Sequence, residues 1–208
     1  DYCVLCTDVK HTKRLITQSK GFENYSRTFS QLTSLKQSGR YAVLRLWTDK
    51  FEADKTLPFF IFTDRLKCLD SVTLYHKMEK ESATWSELNK GGIFELHSYA
   101  VPKDLVTDEE VKAHLLSELY HYFPELAGMK VSHEYFQHRD DFPGFHTNQY
   151  ANRPEIRTDV PGFYMAGDWV KMNNCTMLME AAYTSGSLAA NYIMQQEGLR
   201  ENELESVP

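Results

Sequence analysis

Residues 163–169 read Phe-Tyr-Met-Ala-Gly-Asp-Trp, and a helical pattern follows them over 176–195. The apolar run predicts a strand that ends at Gly167, where the missing side chain lets the backbone approach a ligand closely. Asp168 then stands at the carboxyl end of a strand, where open α/β sheets bind their ligands. Free amide groups at the start of the helix suit an anion or a polarised carbonyl. The pattern predicts a strand–loop–helix ligand site, and the alternative is a packing unit in which Asp168 only caps the loop.

Composition excludes several classes of protein. The chain has 208 residues, 42% hydrophobic and 25% charged, so it can bury a sizeable core. Its net charge of −6 lacks the basic surplus of a dedicated nucleic-acid binder, and we expect no nucleic-acid partner. No apolar run approaches the roughly 20 residues that span a bilayer. Four cysteines are too few for a disulfide scaffold and fit a reducing compartment rather than secretion.

Both ends of the chain resemble strand–helix units, whereas the middle is rich in strands, so we predict the α/β class. The first apolar run, 2–7, predicts a buried strand, and a domain that begins inside a core strand suggests a fragment. The predicted organisation is a strand and helix over 1–20, an inserted α+β domain over 40–145, a closing strand–loop–helix over 160–196 and a tail over 197–208.

Periodicity predicts the individual elements. Strands are expected at 41–47, 59–62, 71–76, 93–100 and 131–137. Helices are expected at 9–18, at 78–90, and from Thr107 to Pro124. Thr107 and Glu110 have the spacing of a capping box, which marks the start of the third helix. Residues 19–40 are polar, with Gly21 and Gly39 as breaks. Residues 138–161 show little periodicity and are expected to form a long loop.

The segment at 163–169 belongs to a longer, gapped motif. The chain has Ala-Gly-Asp-Trp at 166–169, Met-Glu-Ala-Ala at 179–182, Ser-Gly at 185–186 and Ala-Ala at 189–190. This series resembles the carboxyl-terminal flavin motif of the flavin-dependent amine oxidase and carotenoid desaturase superfamily. Ala181 stands where the family usually has glycine, which adds a methyl group where the helix passes the flavin.

The resemblance implies FAD as cofactor and a fragment of a two-domain flavoprotein, with Rossmann-like pieces at both ends of the chain. Gly167 would allow close approach to the flavin, and Asp168 would accept a hydrogen bond from the ribityl or phosphate region. The backbone at Met179 and Glu180 would face the pyrimidine end of the isoalloxazine, and Trp169 would pack beside the cofactor. The implied cofactor-binding residues are Ala166, Gly167, Asp168, Trp169, Met179 and Glu180.

A second set of residues resembles one branch of this superfamily. Arg-Leu-Trp at 45–47, Glu-Leu-His-Ser-Tyr-Ala at 95–100 and the tail at 198–208 are similar to carotene desaturase/methyltransferase enzymes of the isorenieratene synthase kind. The branch implies dehydrogenation of an apolar isoprenoid such as a carotenoid, coupled to a methyl shift through a carbocation. It also implies a cytoplasmic or plastid-type compartment and is compatible with peripheral membrane contact, since carotenoids dissolve in lipid.

Substrate-side residues are drawn from the strands of the inner domain. Arg45, Trp47, His97 and Tyr99 are the candidates. By strand alternation Glu95, His97 and Tyr99 share one face of the sheet. The simpler interpretation of each is a solvated or hydrogen-bonded sheet face.

The resemblance also shows what this chain lacks. The family begins with a strand–GxGxxG–helix that holds the dinucleotide, and the sequence contains no GxGxxG. We expect that segment upstream of Asp1. The alternatives are a flavin amine oxidase, or a non-catalytic isoprenoid-binding or scaffold protein that has lost the cofactor. Cys3 and Cys6 have C-x-x-C spacing inside an apolar strand with no second pair, so buried thiols are favoured over a metal site, and no metal is predicted.

Overall fold

The computed structural model describes residues 1–173 and 176–204 and has a mixed α/β architecture, as the sequence predicted. The chain forms two compact units. The first combines Asp1–Ser38 with the chain from Asp141 onward, and the second is Gly39–Asp140. The segment 21–38, which the predicted domains left unassigned, lies in the first unit.

Strands and helices alternate irregularly along the described chain. The strands are β1 (Cys3–Leu5), β2 (Tyr41–Thr48), β3 (Phe60–Phe62), β4 (Ser71–Leu74), β5 (Ile93–Ser98), β6 (Val131–Arg139) and β7 (Phe163–Met165). The α-helices are α1 (Val9–Gln18), α2 (Ser26–Ser34), α3 (Lys80–Asn89), α4 (Asp108–Tyr122) and α5 (Leu178–Gln196).

The first unit pairs its two strands in parallel. Strand β1 lies beside β7, with Cys3 opposite Phe163 and Leu5 opposite Met165. Helices α1, α2 and α5 contribute to one apolar core together with β7, whose three residues are all buried. This unit therefore carries parallel strand–helix pieces at both ends of the sequence.

Strand β1 is not buried, which corrects the prediction for 2–7. Cys3 and Val4 are exposed, Leu5 is half-buried, and Cys6 is exposed as well. Among the described strands β1 has a single neighbour, β7, and helix α5 packs against β7. An apolar sequence run alone does not show whether a second layer covers the strand.

The second unit is built on an antiparallel sheet with the strand order β3-β4-β5-β2-β6. Alternate residues of its strands point into a core completed by Val111, Leu115 and Leu119 of α4. The capping box of α4 is confirmed: Thr107 Oγ1 accepts from the Glu110 amide at 3.2 Å, and the Glu110 carboxylate accepts from the Thr107 amide at 2.9 Å. The opposite face of the sheet carries the charged and aromatic residues described below.

Helix α2 lies within 19–40, for which the sequence predicted no helix, and its buried residues are Thr28 and Leu32. For the last helix the sequence predicts an apolar side that includes Leu178, Ala181 and Ala182. In α5 Leu178 and Ala182 are exposed, whereas Ala181 and Ser185 are buried. No helix among the described residues is long and apolar enough to cross a membrane.

Candidate functional site

The end of β7 is fixed to helix α5 by a serine. Ser185 Oγ accepts a hydrogen bond from the Gly167 amide at 2.8 Å and lies 3.1 Å from the Gly167 carbonyl oxygen. Gly167 has φ = +143°, a conformation that favours glycine. A Cβ placed there would lie 2.5 Å from Trp169 Nε1. The missing side chain therefore makes room for the indole, and Ser185 holds the turn against the helix.

Trp169 belongs to the core of the first unit. Its side chain is buried, and Nε1 donates to the Thr7 carbonyl at 3.0 Å, which ties the loop after β7 to the segment after β1. Ala166 is buried as well, and its amide donates to the Leu5 carbonyl at 2.9 Å. These two residues position the strand end, and their polar atoms are used within the chain.

Asp168 is a half-buried carboxylate at the strand end. Burial raises the pKa of this carboxyl group above its usual value, although its own backbone amide and the Arg153 guanidinium act in the opposite direction. No side chain in the described part of the chain donates a hydrogen bond to it. A carboxylate that is partly desolvated and free to accept can bind the hydroxyl groups of a polyol. Sequence reasoning missed Arg153, since nothing in its local pattern connects it with Asp168.

Helix α5 begins without a side-chain cap. The residue before it, Met177, makes no side-chain hydrogen bond to the first turn, so the N-cap residue satisfies none of the first amide groups with its side chain. Large apolar side chains around this helix start are exposed, with Met179 exposed by 86% and Tyr183 by 75%. Glu180, in the first turn, is also exposed. We call Ala166–Trp169 and the start of α5 the strand-end site. Its open apolar surface, free amide groups and free carboxylate fit a flat aromatic cofactor with polar carbonyls and a polyol chain, as a flavin has.

A second arrangement lies on the open face of the sheet in the second unit. Strand register places Arg45 of β2 directly opposite Glu95 of β5. Arg45 Nε donates to Glu95 Oε2 at 2.6 Å, and His97 Nε2 lies 3.0 Å from Glu95 Oε1. The guanidinium of Arg45 stacks 3.8 Å above the Tyr75 ring centroid. The rings of His97 and Tyr99 are stacked with centroids 5.6 Å apart. We call these five residues the Glu95 cluster.

Glu95 is ionised at neutral pH. Burial would raise the pKa of its carboxyl group, but hydrogen bonds from His97 and Arg45 outweigh that effect and hold the pKa below its usual value. The side chain is only 8% exposed, so the pairing matters because an unpaired buried carboxylate is costly. The same charge, together with burial, raises the pKa of Tyr75.

The structure thus gathers three of the four candidate substrate residues, Arg45, His97 and Tyr99, around Glu95. Trp47 lies two residues further along β2 and packs edge-to-face on His133, with ring centroids 6.3 Å apart. Tyr75 was missed in the sequence because it lies in a short 3₁₀ helix after β4, Tyr75–Lys77, where alternation does not predict a face. Within 1–173 and 176–204, no group of three or more His, Cys, Asp or Glu side chains is placed to hold a metal ion.

Comparison with known proteins identifies the family to which this chain of two compact units belongs. Residues 2–194 match the family described as Flavin containing amine oxidoreductase, and the chain belongs to this family. Membership implies a flavin cofactor, for which the strand-end site provides suitable groups.

Two curated relatives align with the whole chain. The chain is 33% identical over 209 residues to a carotenoid phi-ring synthase of Chlorobaculum tepidum and covers 32% of it. It is 32% identical over 208 residues to a carotenoid phi-ring synthase of Streptomyces griseus and covers 40% of that protein. The chain therefore spans between a third and two fifths of the length of these relatives.

Solved structures share the fold at low sequence identity. A reduced UDP-galactopyranose mutase matches with a TM-score of 0.58 at 12% identity, over 98% of this chain and 42% of that one. An oxidoreductase from Methanosarcina mazei matches with a TM-score of 0.51 at 17% identity, over 94% of this chain and 43% of that one. At such identities the similarity concerns the fold alone.

Proposed function

We propose that this chain forms the carboxyl-terminal part of an FAD-dependent oxidoreductase that dehydrogenates an apolar isoprenoid such as a carotenoid, with a methyl shift at a ring end. The observation that carries the proposal is the strand-end site. Asp168, a half-buried carboxylate, follows Gly167, which Ser185 bonds to α5, and α5 begins without a side-chain cap and with exposed apolar side chains. The relatives named carotenoid phi-ring synthase support the substrate class.

In the proposed mechanism a bound flavin supplies the two-electron oxidation. The chain's own residues bind and orient it. Asp168 accepts hydrogen bonds from the ribityl or phosphate region, and the backbone at Met179 and Glu180 faces the pyrimidine end of the ring system. Ser185 keeps Gly167 and α5 in register, so that the carboxylate and the helix start stay in a fixed relation.

We place the substrate on the open sheet face of the second unit. Tyr75 and Tyr99 offer aromatic surface there, and Trp47 extends it along β2. Aromatic faces suit a polyene and also stabilise a developing carbocation through cation–π attraction. The partner segment that completes the dinucleotide site, the GxGxxG strand and helix, is proposed to lie upstream of Asp1. Residence in the cytoplasm or a plastid-type compartment and peripheral membrane contact follow from the same proposal.

The test is the visible absorption spectrum of the full-length natural chain, with the released chromophore identified. We expect about one FAD per chain. Asp168→Ala should reduce flavin retention, whereas Glu201→Ala, at an exposed position of the same unit, should leave it unchanged. A full-length chain that neither contains nor takes up flavin would refute the oxidoreductase proposal. Equal flavin content in wild type and Asp168→Ala would refute the role of Asp168.

A further inference from the structure

The Glu95 cluster contains a histidine whose hydrogen positions follow from its partners. Glu95 is ionised and can only accept hydrogen bonds. Its Oε2 atom is taken by Arg45 Nε at 2.6 Å, and its Oε1 atom lies 3.0 Å from His97 Nε2. Nε2 must therefore carry the hydrogen of the neutral imidazole, and the lone pair resides on Nδ1.

The second ring nitrogen of His97 is available. Nδ1 has no hydrogen-bond partner among the residues that the structure describes, and the side chain is 18% exposed on the open face of the sheet. Tyr99 stacks on the ring and limits its rotation. A histidine anchored through one nitrogen by a carboxylate, with the other nitrogen directed away from that anchor, has the arrangement of a general base.

We propose that His97 accepts a proton from the substrate at Nδ1 and that Glu95 is the positioning residue that fixes its tautomer and orientation. This inference rests on the proposed function. It gives the open sheet face of the second unit a proton acceptor in addition to its proposed role as a binding surface for the substrate.

The proposed reaction requires such an acceptor. Dehydrogenation removes a hydride, for which FAD is the oxidant, and the substrate is left as a carbocation. A methyl group migrates with its bonding electron pair to the neighbouring cationic carbon, which moves the positive charge without changing it. A C–H bond next to the new cationic centre then breaks. Its proton goes to His97 Nδ1, and its electron pair forms the new C=C bond. The substrate has then lost one hydride and one proton, which is a two-electron oxidation.

Arg45 helps to keep the proton from the substrate on His97. Without a cation beside it, the Glu95 carboxylate would compete for the proton. Hydrogen bonds from Arg45 and His97 stabilise the ionised form of the carboxylate. Strand register places Val43 of β2 and Ser71 of β4 opposite His97, and Tyr99 stacks on its ring. Of the charged side chains nearby, Glu95 contacts the imidazole directly and Arg45 acts on it through Glu95. Asp70, paired with Arg65 at 3.3 Å, accepts a hydrogen bond from the Tyr99 amide.

The first experiment follows product formation by the FAD-loaded full-length chain from a carotenoid in detergent micelles, as a function of pH. We expect His97→Gln to slow the reaction about 100-fold, the low end of general-base effects, and to abolish the decline in rate at acidic pH. Added imidazole should restore part of the rate of His97→Ala. Glu95→Gln should slow the reaction about 10-fold and change the pH profile. His121→Gln, at the exposed end of α4, is the control and should match wild type, as should the flavin content of every variant.

The second readout is independent of activity. In the full-length chain with ¹⁵N-labelled histidine, the resonance that His97→Gln removes should report the Nε2–H tautomer, and Glu95→Gln should shift it towards a mixture. A wild-type His97 with its hydrogen on Nδ1 would overturn the inference even if the variants failed to fold. So would a His97→Gln enzyme with the wild-type rate and pH profile. A wild-type holoenzyme that leaves carotenoid unreacted would overturn the proposed function itself, and this role with it.

Discussion

The strand-end site and the Glu95 cluster differ in whether their polar side chains have partners within the protein. The strand-end site consists of a glycine turn, an uncapped helix start and a carboxylate that no described side chain bonds, and it leaves large apolar side chains exposed. In the Glu95 cluster each carboxylate oxygen has a cationic or imidazole partner. The first site leaves its polar groups to a ligand, whereas in the second the protein itself pairs the buried carboxylate and leaves His97 Nδ1 for the substrate. Substitutions in the two should therefore have different effects on cofactor binding and stability.

The largest expected effect is that of Gly167→Ala. The new methyl group would lie 2.5 Å from the Trp169 indole, and φ = +143° is unfavourable for alanine. We expect the free energy of unfolding to fall by roughly 3 kcal/mol and flavin to be lost, measured by thermal unfolding and absorption of the full-length chain. Gly186→Ala is the control. Apart from its chain neighbours and its own helix backbone, no atom of the described residues lies within 4 Å of its added Cβ. Replacement of this helical glycine by alanine should therefore raise the free energy of unfolding by about 0.5–1 kcal/mol. Equal stability of the two variants would contradict this account.

Glu95→Ala should have the next largest effect, and on stability rather than on flavin content. It leaves Arg45 and His97 without their partner, and because both are partly exposed we expect a loss of about 2 kcal/mol. Glu134→Ala is the control, since Glu134 pairs with Lys112 at 3.0 Å but is 49% exposed. An exposed pair contributes about 0–1 kcal/mol. If chemical denaturation gave equal losses for the two variants, burial would not be what distinguishes the cluster.

The same residue predicts a dependence on pH. Because the folded-state pKa of Glu95 lies below its unfolded value, its contribution is present above the unfolded pKa and is lost as the pH falls through the folded pKa. The free energy of unfolding of Glu95→Gln should therefore be lower than that of wild type at neutral pH and approach it as the pH is lowered towards the folded-state pKa of Glu95. A deficit that is constant with pH would contradict the proposed ion pairing.

A smaller effect is expected for Thr107→Ala, which removes the cap of α4 in the second unit. Loss of the hydrogen bond from the Glu110 amide should cost about 1 kcal/mol. Ser117→Ala, at an exposed position of the same helix, should have little effect. Flavin content should be unchanged in both variants. Loss of flavin from Thr107→Ala would contradict the expectation that flavin binding depends on the strand-end site and not on the cap of α4.

The smallest expected change in stability is that of Asp168→Asn, and it has the opposite sign. The pKa of Asp168 is raised, so the ionised carboxylate is disfavoured in the folded chain at any pH above that pKa. We expect Asp168→Asn to be slightly more stable than wild type at neutral pH without flavin, and equal to it at acidic pH, but to retain less flavin. Thermal unfolding of the flavin-free chain at two pH values tests this. Lower stability of Asp168→Asn at neutral pH would show that the carboxylate stabilises the fold.

Local patterns in the sequence sufficed to predict the fold class, the family and several secondary-structure elements of this protein. The capping box at Thr107, the alternation in β2 and β5 and the apolar run before Gly167 act over a few residues, so their outcome depends little on the rest of the chain. The gapped motif from 166 to 190 also identified the family, because the residues at the strand end and on the helix follow one another at short spacings along the sequence. These features predicted the α/β class and placed Asp168 at the end of the strand that precedes α5.

Other features arose only from tertiary packing. Helix α2 forms in a polar stretch between Gly21 and Gly39, where packing of Leu32 into the core of the first unit stabilises it. Ser185 is buried because it bonds Gly167, 18 residues away. The Glu95 cluster needs β2 and β5 in one register and a 3₁₀ turn that brings Tyr75 under Arg45. Sequence determines which face of a strand a residue occupies, but its neighbour across the sheet depends on the pairing of distant segments, and the chemistry of a site depends on those neighbours.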